Sequence, residues 1–154
     1  PRSWEKEEDR PKWFYHDMHR AVSLGNILWM GITTKLRKED GFFREYAEKM
    51  LAFRTELQPL LRDAEFLDDQ WLEEVKPKCF GTCWNVSKDE GLILASSERN
   101  EDVVFRIKTE RPISGISCID VEGNTIKINQ ENKNSFSFSL KEHQMVRILF
   151  SYSK

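Results

Sequence analysis

Nothing in this sequence approaches the ~20 consecutive apolar residues that a helix needs to cross a bilayer, so no membrane partner is expected. Residues 1–12 are dense in charge and carry no apolar core of the kind a secretory leader requires, which points to an intracellular protein. Cysteine is scarce. The 3 in the chain, Cys79, Cys83 and Cys118, leave one unpaired in any monomeric disulfide scheme, and reduced thiols in a cytoplasmic or nuclear setting are the simpler expectation. An excess of one charge is also lacking: 24 Lys and Arg face 26 Asp and Glu, so no whole-protein field draws the chain to nucleic acid or anionic lipid. The sequence has no glycine loop that would cradle phosphates, no Gly-x-Ser-x-Gly turn and no His-Glu-x-x-His helix. The common nucleotide-binding, serine-hydrolase and zinc-protease classes are thereby disfavoured.

What is present is material for a core. In 154 residues, 39% hydrophobic and 12% aromatic content, with 10 Phe and 5 Trp, distinguishes the chain from a disordered one. At this length folding buries roughly 70% of the unfolded surface. Residues 1–10 alternate in charge around Trp4 and read as an arm, after which one α+β domain is expected over 11–154. Pro11 suits a first helical turn, and Phe14, Met18, Ala21 and Val22 recur at helical spacing up to Gly25-Asn26, a C-terminal cap. The apolar, partly β-branched segment 27–34 reads as extended. Beyond Asp40, a candidate cap, Phe42, Phe43, Tyr46, Ala47, Met50, Leu51, Phe53 and Leu57 mark an amphipathic helix. Pro59 should break or kink it, giving a second, acidic helical stretch over 60–75.

After Lys76-Pro77 the period changes. Short β-rich runs follow at 79–84, 91–95, 103–108, 113–121, 125–129, 135–140 and 145–152, and the strict alternation Ser135-Phe136-Ser137-Phe138-Ser139-Leu140 marks a half-buried strand. Helices over about 11–75 followed by strands over about 78–152 predict an α+β fold. In it, N-terminal helices pack on a largely antiparallel C-terminal sheet of about five to seven strands.

Several residues are candidates for chemistry. His16 and His19, three apart on the first helix, with Cys79 and Cys83, supply the ligand types of a tetrahedral zinc site. A regular strand through Cys79 and Cys83 holds them about 13 Å apart and forbids it; a knuckle at Gly81 permits it. Arg2, Arg10, Lys12 and Arg20, interleaved with Trp4, Trp13, Phe14 and Tyr15, combine charge and stacking surface for nucleic acid, as does the cluster Lys35, Arg37 and Lys38. Acidic neighbours offset both groups. Trp13-Phe14-Tyr15-His16, then Leu24-Gly25-Asn26-Ile27-Leu28-Trp29, then Cys83-Trp84 with Glu90, resembles the motif order of bacterial proteins related to the ADP-ribosyltransferase fold. That resemblance implies an NAD-dependent enzyme with Tyr15 and His16 on the cofactor and Glu90 as the catalytic glutamate.

The leading expectation is a non-catalytic module, without a cofactor, that binds a protein partner or a second copy. The apolar run 145–152 could pair with another chain if it lies at an edge of the sheet.

Overall fold

The computed structural model describes residues 10–26 and 41–153, with side chains from residue 14 in the first stretch and residue 44 in the second. The arm up to residue 9, the segment 27–34, the basic cluster at 35–38 and the Asp40 cap lie outside the described residues.

Helix α1, Arg10–Ser23, buries Tyr15, Met18, His19, Val22 and Ser23, the 3–4 spacing of a single face. It stops where the sequence says it should. Gly25 adopts φ 71°, its N–H bonds to Val22 O, and Asn26 N–H reaches back to Ala21 O, the paired bonds of a left-handed helix cap. Helix α2, Gly41–Leu61, buries Tyr46, Ala47, Met50, Phe53 and Leu57. From α2, Arg54 donates to Gly25 O at 2.8 Å and Asn26 O at 3.1 Å, tying one helix to the carboxyl end of the other.

The second helical stretch expected over 60–75 does not form. Pro59 is accommodated near the end of α2, which continues to Leu61. The chain then extends through β1, Glu65–Phe66, and turns at Asp68, whose φ is 54°. Its leucines and tryptophan repeat at nearly helical intervals, but tertiary partners decide their conformation. Leu72 bridges Ile107, Lys108 N–H donates to Trp71 O, and Glu73 N–H donates to Arg106 O.

The remaining strands are β2 (Cys79–Ser87), β3 (Glu90–Ser97), β4 (Val103–Lys108), β5 (Ile113–Asp120), β6 (Ile128–Gln130), β7 (Ser135–Leu140) and β8 (Gln144–Tyr152). They form two antiparallel sheets, one ordered β1-β2-β3-β8-β5 and the other β4-β7-β6. The fold is therefore α+β, mostly sheet, as expected. The condition for β8 to pair with another chain is not met: it is no edge but is paired on both sides, by β3 and β5.

The larger sheet is the middle of three layers. Leu92, Leu94, Trp84 and Met145 face the helices and join Met18, Val22, Met50, Phe53 and Leu57 in one core. Cys83, Ile93, Ala95, Val146, Ile148 and Phe150 point the other way, against Val103, Phe105, Ile107, Phe136, Phe138 and Leu140 of the smaller sheet. Burial on both faces explains why β3 reads as an unbroken apolar run, whereas β4 alternates. None of the described helices is long and apolar enough to cross a membrane.

Candidate functional site

Antiparallel pairing fixes where the candidate residues lie. Along the β3–β8 ladder, Glu90 faces Ser151 at one end and Ser97 faces Gln144 at the other, a span of about 23 Å at the usual rise per residue. Tyr15 stacks on His143, beside Gln144, with ring centroids 4.1 Å apart and planes 9° apart. Burial raises the pKa of Glu98, an effect that the nearby His16 opposes, so His16 too sits at the Ser97 end. Glu90 is at the opposite end. The three residues that the ADP-ribosyltransferase resemblance groups together are thus not brought to one pocket.

The four zinc candidates are also divided. His19 is fully buried between α1 and α2, its Nε2 2.7 Å from the Tyr46 hydroxyl. Burial, followed by the charges of His143 and His16, pushes its pKa down to about 3. Cys83 lies on the far face of the middle sheet, in the core between the sheets, and burial pushes its thiol up to about 12. Cys79 is on the same strand, paired with Ser97 while Cys83 pairs with Ile93, so the regular strand excludes the knuckle. Among the described residues no group of three or more His, Cys, Asp or Glu is placed to hold a metal ion. Of the nucleic-acid candidates, Arg20 lies 5.2 Å over the Phe80 ring and is used in packing.

The Glu90 end carries a feature that sequence reasoning missed. The β2–β3 hairpin, the β4–β5 loop, the end of β8 and the segment around β1 meet there and enclose a cleft of about 460 Å³. Its polar side chains brace one another across four separate segments. Asn85 Nδ2 donates to Glu65 at 3.0 Å, and the Tyr152 hydroxyl donates to Asn85 Oδ1 at 3.5 Å. The Arg111 guanidinium lies 4.2 Å over the Tyr152 ring and donates to Lys88 O at 2.6 Å. Trp71 closes the floor, edge-on to Tyr152. Asp63, Gln70 and Glu110 also line the cleft, and none of their side chains bonds to another described residue. No short motif announces this cleft, since its walls come from residues scattered from 63 to 152.

No known protein family matches the sequence, and no curated protein does. Solved structures do resemble the fold. A GH30 endoxylanase from Clostridium papyrosolvens C71 superimposes with a TM-score of 0.59 at 13% identity, covering 92% of this chain and 38% of that one. An Anoxybacillus alpha-amylase gives 0.52 at 15% identity over 79% of this chain and 24% of its own. A GH27 β-L-arabinopyranosidase from Geobacillus stearothermophilus gives 0.52 at 10% identity, over 91% and 30%. This chain therefore matches about a quarter to two-fifths of each longer enzyme, and at these identities the likeness is one of fold. It overturns the resemblance to ADP-ribosyltransferases: the structural neighbours are glycoside hydrolases.

Proposed function

We propose that this chain is a non-catalytic interaction module whose helical layer meets a protein partner, the partner being a catalytic body of the glycoside hydrolase type. The observation that carries this reading is the asymmetry of coverage. A stretch covering 92% of this chain corresponds to 38% of the endoxylanase, so a similar fold occurs joined to much further protein. Chemistry within the chain is consistent with a supporting part. The buried thiols Cys83 and Cys118 are pushed up to about 12, far from the thiolate a nucleophile needs, and His19 is held neutral. Three free cysteines are compatible with an intracellular setting.

The experiment is a hydrolysis assay of the purified chain on xylan, starch and aryl glycosides, paired with sedimentation analysis. The module reading expects no turnover above the blank. Turnover that copurifies with the chain and disappears in Glu90→Gln overturns it. Sedimentation tests the choice of partner: self-association of the chain would make a second copy, rather than a different protein, its partner.

A further inference from the structure

We propose that the cleft between Trp71, Asn85, Arg111 and Tyr152 is a binding site for a neutral polyhydroxylated ligand, an oligosaccharide. Its volume of about 460 Å³ lies within the roughly 300–1,000 Å³ typical of small-molecule sites. Charge narrows the occupant. Asp63, Glu65 and Glu110 outnumber Lys88 and Arg111, so a phosphate or nucleotide meets net repulsion. A metal ion lacks a set of ligands, since no group of three or more His, Cys, Asp or Glu is placed to hold one among the described residues. An apolar ligand would strip water from this polar wall without replacing its hydrogen bonds.

Hydroxyl groups fit what remains. Each donates one hydrogen bond and accepts others, and the wall offers both kinds of partner close together. The Asp63 and Glu110 carboxylates accept, the Gln70 amide does both, and Arg111 retains N–H groups beyond the one committed to Lys88 O. The chain of contacts Glu65, Asn85, Tyr152, Arg111 holds part of this wall in place before any ligand arrives, which lowers the ordering cost of binding. This assignment is independent of which protein meets the helical layer.

The test is an NMR titration of the isotope-labelled 154-residue chain with maltohexaose and, separately, xylohexaose, with ATP and spermine as anionic and cationic probes. At least one sugar should give saturable amide shifts confined to residues 63–71, 85–88, 110–111 and 152. Affinity should fall by about tenfold or more in Arg111→Ala, and measurably in Glu110→Gln, whose exposed side chain carries no structural bond. The proposal is overturned if neither sugar gives saturable shifts, if the shifts fall elsewhere, or if both folded variants bind as the parent does. Saturable binding of ATP or spermine in the cleft without sugar binding also overturns it.

Discussion

His19 is a base that its surroundings keep uncharged, and this sets an acid limit on the fold. Its pKa falls from the ordinary 6.5 to about 3 in the folded chain. Between those values the unfolded chain takes up a proton that the folded chain refuses. Stability should therefore drop as pH falls below about 6.5, by up to ~1.4 kcal/mol per pH unit, with the loss levelling off near pH 3. Denaturant titrations across this range check the slope, and His19→Gln should flatten it; an unchanged slope would place its source elsewhere. Tyr46→Phe tests the partner. It leaves a fully buried imidazole nitrogen without its 2.7 Å bond and should cost about 1–2 kcal/mol. The thiols make a third case. Cys83 and Cys118 are buried, whereas Cys79 is partly exposed with a smaller upward shift. A disulfide reagent should titrate one thiol in the native protein, slowly, and all three once denaturant is added.

Among the elements, two glycines mark places where a side chain has no room. A Cβ on Gly91 would overlap the Phe150 ring and come within 3.0 Å of Trp71, so Gly91→Ala forces the inter-sheet core apart and should cost about 1–3 kcal/mol. Gly25→Ala strains a residue at φ 71° and presses on Trp84 at 3.1 Å, for a loss of about 1 kcal/mol or more, read by thermal melting. The sequence made many of these elements legible. Strict alternation identified β7, and Phe136, Phe138 and Leu140 do face the core. The cap at Gly25-Asn26 was also correct, because a local hydrogen-bond pattern and a local residue preference coincide there. Where local pattern and tertiary partner conflicted, the reading failed. Residues 60–75 have near-helical apolar spacing, but Trp71 is claimed by the inter-sheet core and Leu72 by the edge of β4. In β8 the run Met145-Val146 and Ile148-Leu149-Phe150 is apolar at consecutive positions, the mark of a strand covered on both faces.

At the scale of the whole molecule, the middle sheet carries both cores, and protection should follow that arrangement. Amides of β3 and β8 should exchange with solvent most slowly, at the global opening rate, while β1 and β6 exchange sooner, since they are short and lie at sheet edges. Hydrogen exchange read by mass spectrometry checks the order. The cleft was illegible for a reason of the same scale. Trp71, Asn85, Arg111 and Tyr152 meet only because four segments end at one side of the sheets, and no spacing along the chain encodes that meeting.

The position of β8 has a consequence for how the protein is made. It is the last described strand to be synthesised, yet it must slot between β3 and β5, which are already present and pair with it rather than with each other. Until it emerges from the ribosome, both neighbours hold open backbone edges and the cores lack Met145, Val146, Ile148 and Phe150. The nascent chain is thus exposed to aggregation and to holding chaperones until β8 emerges, and a stop before Gln144 would leave two separated pieces of sheet.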